Sequence, residues 1–140
     1  MLYTKQNKCM CMHLEGGELM AFMDQWLADI RRVKDITDAL SKELEARTSL
    51  TLNGYYVLYF LAHSEEKKMR LNILQEYMGL SQSAMSRMIV RMEGSNCGSI
   101  RRVDCDCDKR GVYIAITDCG LKRLTEAKTV VEEVLQRYYK

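Results

Sequence analysis

The chain has 140 residues, a net charge of +2 and a hydrophobic fraction of 47%. A chain of this length forms one domain of ordinary size, and so small a net charge does not by itself indicate a nucleic-acid or membrane partner. The sequence contains no proline, which favours long uninterrupted helices. We therefore expect a mainly α-helical protein in which the position of the charges matters more than their sum.

Residues 1 to 16 are expected to form a flexible N-terminal lead that ends at a pair of glycines. This lead lacks the unbroken apolar core of a secretory signal. The longest apolar run, Tyr55 to Ala62, is far shorter than the roughly 20 residues that cross a bilayer. We expect a cytoplasmic protein without membrane contact, whose six cysteines are reduced rather than paired in a disulfide framework.

A long amphipathic helix is predicted after the lead. Apolar side chains recur there at spacings of three and four, at Leu19, Met20, Met23, Leu27, Ile30, Val33, Thr37, Leu40 and Leu44. A helix of about 28 residues spans roughly 40 Å, which is more than a compact core of this size covers. Part of this apolar stripe is therefore expected to pack against a second copy of the chain.

Two helices joined by a tight turn are predicted next. Thr51 is a typical N-cap for a buried helix that is apolar all round from Tyr55 to Ala62, and residues 65 to 68 form a charged turn. A short helix then carries apolar Leu71, Leu74, Tyr77 and Met78 and closes at Gly79. Ser81 immediately caps the next helix. This order predicts a helix-turn-helix unit.

The second helix of this unit has two different faces. Met85, Met88, Ile89 and Met92 form its apolar side, and Gln82, Ser83, Ser86, Arg87 and Arg91 form its polar side. Short polar side chains near a helix N-terminus reach base edges in the major groove, and arginine contacts phosphate or guanine. We therefore predict that Ser81 and these five polar residues bind double-stranded DNA.

A basic hairpin and a last helix are predicted to follow. The strands Ile100 to Val103 and Val112 to Thr117 flank a charged tip at Asp108, Lys109 and Arg110. Between residues 67 and 110 nine basic residues face five acidic ones, a local net charge of +4. The final helix is capped by Thr117 and Asp118, and its apolar stripe comprises Leu121, Leu124, Val131, Val134, Leu135 and Tyr138.

The segments Leu71 to Met88, Asp108 to Tyr113 and Ile116 to Leu121 resemble the MarR family of bacterial transcription regulators, within a likeness that runs from about residue 50 to 124. The resemblance implies a winged helix-turn-helix lobe over residues 50–117 and dimerisation helices over 17–47 and 118–140 of a single domain. It also implies that Asp108 braces the wing while Arg110 enters the minor groove. The link at residues 95 to 98 is longer than the family pattern.

The predicted function is that of a homodimeric regulator, a repressor, that reads a pseudo-palindromic operator and responds to a small molecule or an oxidant. Trp26, Tyr55, Tyr56 and Tyr59 are candidates for an effector pocket, although aromatic residues at this spacing also suit a core. An alternative is a winged-helix module that binds proteins instead of DNA. No cofactor is expected, and no residues suggest an enzyme, because no nucleophile has an oriented base.

The cysteines leave three interpretations open: inert thiols, redox sensing and metal binding. Cys105 and Cys107 lie near four basic residues, and Cys119 falls in the first turn of a helix, so these three are the candidate redox residues. Metal binding is the weakest interpretation, because C-x-C is unusual for zinc and the sequence has only two histidines. His63 is expected to be a solvated residue at the end of a helix.

Overall fold

A computed structural model describes residues 17–94, 97–104 and 111–139 of the chain, and for residues 17–19 the backbone only. The described chain forms two compact units, which divide within the first helix after Asp38. This helix, α1, spans Gly17–Arg47 and matches the predicted range. In the second unit its side chains Leu40 and Leu44 are buried.

Helix α2 (Leu52–Ala62) packs along one side of the core in the second unit. The Thr51 hydroxyl accepts a hydrogen bond from the Gly54 amide at 3.1 Å, which confirms the predicted N-cap. The prediction that this helix is buried all round was wrong, because Tyr56 and Tyr59 are exposed. Tyrosine has a polar hydroxyl that can stay in water, which leucine and valine lack. Tyr56 and Tyr59 therefore suit the solvent side of this helix.

The sheet has one more strand than the predicted hairpin. After a 3₁₀ turn at Glu65–Lys67, strand β1 (Lys68–Arg70) pairs antiparallel with β3 (Val112–Ile116), which also pairs with β2 (Ile100–Asp104). The expected charged turn at residues 65 to 68 is thus partly a strand. A three-residue strand is too short to show an alternating pattern, and its pairing partner lies far away in the sequence.

The helix-turn-helix unit consists of α3 (Leu71–Met78) and α4 (Gln82–Glu93). Helix α5 (Asp118–Gln136) follows β3 and packs with α2 on the core. The Thr117 hydroxyl caps it by accepting from the Gly120 amide at 3.0 Å, which confirms the predicted cap, and β3 ends at Ile116, one residue earlier than predicted. Tyr77 is exposed instead of joining the apolar side of α3.

Candidate nucleic-acid interface

Helix α4 packs against the core through its apolar side and exposes its polar side to solvent. Met85, Met88 and Ile89 are buried, as their spacing predicted. The predicted polar set is exposed on the outer side: Gln82, Ser83, Ser86, Arg87 and Arg91. The apolar anchors therefore fix the rotation of the helix about its axis, and that rotation turns the polar side chains outward.

The turn before α4 is held by local hydrogen bonds. Gly79 has the left-handed φ of 66°, and its amide donates to the carbonyl oxygens of Gln75 at 2.9 Å and Glu76 at 3.2 Å. The Ser81 hydroxyl accepts from the Ala84 amide at 3.2 Å. Glycine adopts this backbone conformation without the steric cost that other residues carry. The start of α4 is therefore set by the turn that the sequence predicted.

Two arginines connect the strands, one to helix α4 and one to a neighbouring strand. Arg102 on β2 donates to the carboxylate of Glu93, the last residue of α4, at 2.8 Å. Arg70 on β1 donates from Nε to the Tyr113 hydroxyl at 3.2 Å, and its guanidinium lies 5.6 Å from the centre of that ring. The sheet and α4 thus form one connected surface.

Two cavities lie beside α4. One of about 270 Å³ lies between α3, α4 and the strands, and Arg70, Asn72, Gln82, Ser86 and Gly111 are among its lining residues. A groove of about 750 Å³ follows the other flank of α4, where Arg87, Val90 and Arg91 line it. Polar groups of α3, α4 and β1 therefore lie close together at the exposed side of α4.

The structure also shows residues that the sequence analysis missed. Val90 is 57% exposed and lies on the outer side of α4, close to Ser86 and Arg87 in the helical repeat. An exposed apolar side chain on such a face can contact the methyl group of thymine. A helical projection of the sequence would have placed Val90 on this outer side. The position of Arg70 in the cavity beside α4 could not be predicted, because it depends on strand β1.

The wing tip lies outside the described residues. Asp108, Lys109 and Arg110, with Cys105 and Cys107, fall in that segment. The structure therefore brings together the predicted DNA-contacting residues of α4, and the roles of the wing tip stay predictions.

None of the four candidate effector residues lines the cavity or the groove beside α4. The ring of Tyr55 lies 6.4 Å from that of Tyr56 and 6.2 Å from that of Tyr59, between centres. Burial raises the pKa of Tyr55 and Tyr56 above the usual value. Trp26 belongs to the first unit and is 58% exposed. An effector pocket at these residues stays a prediction.

Two cysteines differ from the expected reduced state. Cys97 and Cys119 form a disulfide whose Cα atoms lie 6.1 Å apart. Cys119 lies in the first turn of α5 as predicted. The segments that carry the two cysteines are held together by backbone hydrogen bonds. The expectation of reduced cysteines came from the predicted cytoplasmic location alone and could not include this proximity.

The described residues contain no candidate metal cluster and no candidate membrane-spanning helix. No group of three or more histidine, cysteine, aspartate and glutamate side chains there could hold a metal ion. None of the described helices combines the length and apolarity needed to cross a bilayer. His63 caps the end of α2, and its Nδ1 lies 2.8 Å from the Tyr59 carbonyl oxygen in an exposed position, as predicted.

These elements define a winged helix-turn-helix protein. No protein-family model matches the chain, and no curated protein does. Among solved structures, AbsC from Streptomyces coelicolor, a MarR family transcriptional regulator, is 29% identical with a TM-score of 0.76, over 84% of this chain and 77% of that chain. Sco3205, a MarR family regulator from the same organism in complex with DNA, is 26% identical with a TM-score of 0.76, over 84% and 72%.

A more distant structure, NadR in complex with 4-hydroxyphenylacetate, is 18% identical with a TM-score of 0.62, over 80% of this chain and 74% of that chain. At this identity the likeness concerns the fold alone. Together with the capped α3 and α4 and the three-stranded sheet, the Streptomyces structures show that the chain is similar in fold and sequence to MarR family regulators. The resemblance predicted from the sequence is thereby confirmed.

Proposed function

We propose that this chain is a DNA-binding transcription regulator that reads duplex DNA through α4. The observation that carries the proposal is the exposed polar side of α4 above a buried apolar side. Gln82, Ser83 and Ser86 supply donors and acceptors for base edges near the helix N-terminus. Arg87 and Arg91 lie farther along the same helix and supply positive charge for phosphates. The Sco3205 structure, which contains DNA, supports this assignment.

The regulator is proposed to act as a homodimer on a pseudo-palindromic operator. In the first unit Phe22, Met23, Trp26, Ile30 and Val33 are exposed on α1. At about 3.6 residues per turn these five side chains occupy roughly a third of the helix circumference. A contiguous apolar face of this kind marks a protein contact, and a second copy would place two α4 helices in successive major grooves about 34 Å apart.

The wing and the effector complete the proposal. Arg110 is assigned to the minor groove, whose negative potential attracts an arginine, and Asp108 and Lys109 flank it. We assign a repressor role in the cytoplasm, with DNA affinity controlled by a small molecule or an oxidant. The small molecule bound to NadR, a protein of the same fold, supports the effector assignment.

The test is selection of a binding site from random duplexes with the purified protein, followed by titration at several salt concentrations. The variants Arg87→Ala and Arg110→Ala should each weaken binding to the selected duplex, and Lys128→Ala on the exposed side of α5 is the charge-matched control. Protein binding releases cations that are condensed on the DNA phosphates. This release is less favourable at high salt, so affinity should fall as salt rises. A protein that selects no duplex even at low salt would contradict the proposal and favour the protein-binding module.

A further inference from the structure

A valine lies near the centre of the exposed side of α4. The buried side chains Met85, Met88 and Ile89 define the opposite side of this helix. At about 100° per residue, Val90 projects within roughly 40° of the direction that points away from these three side chains. Val90 is 57% exposed. It is therefore a solvent-facing residue and does not belong to the edge of the apolar side.

Helix α4 lies between two hollows on this surface. The cavity of about 270 Å³ is on one flank, and the groove of about 750 Å³ is on the other. Ser86 lines both hollows, and Val90 lines the groove. Val90 follows Ser86 by about one helical turn, or roughly 6 Å along the axis. Both residues thus lie on the part of α4 that projects between the hollows, as a helix entering a major groove must project.

The charges around Val90 suit a DNA duplex. Arg87 and Arg91 are near it on α4, and both are exposed. Glu93 is the only acidic residue of α4, and its carboxylate accepts a hydrogen bond from Arg102 at 2.8 Å. The two arginines can therefore contact phosphates on either side of a base that Val90 approaches, while the charge of Glu93 is offset by its partner.

An exposed valine inside a helix is unfavourable in the free protein. Branching at Cβ restricts χ1 and gives valine a lower helix propensity than alanine, lysine or glutamine. The same branching holds both methyl groups in one orientation, so they lose little rotamer freedom when they contact a partner. Thymine is the one base that presents a methyl group in the major groove. A rigid apolar group among polar side chains matches that pattern.

We propose that Val90 is a specificity-determining residue that selects thymine by packing on its C5-methyl group. This inference rests on the proposed function and names the base that one position of α4 reads. Ser83 and Ser86 cannot supply this selectivity, because a hydroxyl group donates to or accepts from several bases. Burying one methyl group corresponds to about a fourfold gain in affinity. The bound sequence therefore contains a thymine whose methyl group is required for full affinity.

The experiment uses the full chain and the duplex obtained by the binding-site selection. Each thymine is replaced in turn by deoxyuridine, which keeps the hydrogen-bonding groups of thymine and lacks only the C5-methyl group. Wild type is compared with Val90→Ala, which keeps the helix because alanine has the higher propensity. Thr129→Ala is the matched control. Thr129 is an exposed, Cβ-branched residue of α5, so its replacement removes the same number of side-chain atoms outside α4.

Wild type and Thr129→Ala should lose affinity about fourfold when deoxyuridine replaces one particular thymine. Val90→Ala should bind the thymine and deoxyuridine duplexes equally at that position. The assignment of Val90 would be overturned by a selected duplex without thymine, by equal wild-type affinities at every thymine, or by a loss that persists in Val90→Ala. Each of these three results would leave the proposed DNA binding intact. A protein that selects no duplex at all would refute the proposed function and this inference together.

Discussion

Arg102 donates a hydrogen bond to Glu93 at 2.8 Å and so joins strand β2 to the last residue of α4. The two side chains are 46% and 28% exposed, so the pair contributes little to global stability. Its effect is positional, because it couples strand β2 to α4, the helix that is proposed to face DNA. Arg101, the preceding residue, points to the other face of the sheet and is exposed. It has no ion-pair partner among the described residues.

The first prediction contrasts these two arginines. Arg101→Ala should weaken binding to the selected duplex and lower the slope of log affinity against log salt by about one, because an unpaired arginine gives up one phosphate contact. Arg102→Ala should also weaken binding but should change the salt slope less, because the charge of Arg102 is already neutralised by its ion pair with Glu93. Fluorescence titrations at four or more salt concentrations measure both slopes. Equal slopes for the two variants would show that the pair does not restrain Arg102.

The second prediction compares two glycines. In Gly120→Ala the new Cβ would lie 2.1 Å from the Ser99 oxygen and 2.8 Å from Ile116, so the backbone must shift, at a cost of about 3 kcal/mol or more. Gly79→Ala meets no atom within 4 Å but must keep a φ of 66°, which costs about 1 kcal/mol. Urea unfolding measures both. A Gly120→Ala variant no less stable than Gly79→Ala would refute the close approach of α5.

The parts of the fold that the sequence predicted depend on local chemistry. Thr51, Gly79, Ser81 and Thr117 each cap or close a helix through bonds to residues nearby in the chain, so their types and spacing were sufficient. The apolar side of α4 was predictable for the same reason, and it fixed which polar residues are exposed on the opposite side.

The parts that were missed depend on contacts between distant segments. Strand β1 exists because Met69 pairs with Ile114, and nothing within its three residues reveals that partner. The Cys97–Cys119 bond spans 22 positions and forms where Ser99 and Thr117 already meet. Tyr77 was expected inside because of its spacing, but its ring stacks on Phe60 with the centres 5.4 Å apart and stays exposed.

The third prediction concerns pH. Arg47 donates to Glu133 at 2.5 Å, and this hydrogen bond, together with the charge attraction, holds the pKa of Glu133 below its usual value. A lowered carboxyl pKa stabilises the folded state above the unfolded pKa, and this stabilisation is lost as pH falls through the folded pKa. Arg47→Met should therefore raise the pKa of Glu133 and reduce stability at neutral pH. The difference from wild type should shrink as pH falls below about 4.5 and disappear once pH is below the lowered pKa of Glu133.

Carboxyl NMR titration of Glu133 and urea unfolding at several pH values test this expectation. Lys42→Met on the same helix is the control, because it removes an exposed positive charge outside the pair. If the pKa of Glu133 were the same in Arg47→Met and in wild type, the ion pair would not exist in solution.

The last prediction concerns the apolar face of α1 in the first unit. Val33 is 62% exposed and lies on the same side of the helix as Trp26, whereas Ala28 is exposed on the opposite side. If this face packs on a second copy, Val33→Glu places two unpaired carboxylates in the interface, and burying a charge without a partner costs several kcal/mol. The variant should be monomeric at micromolar concentration and should lose cooperative binding to the full operator. Ala28→Glu adds the same charge and should stay dimeric. Sedimentation equilibrium decides between them, and a dimeric Val33→Glu would move the interface away from α1.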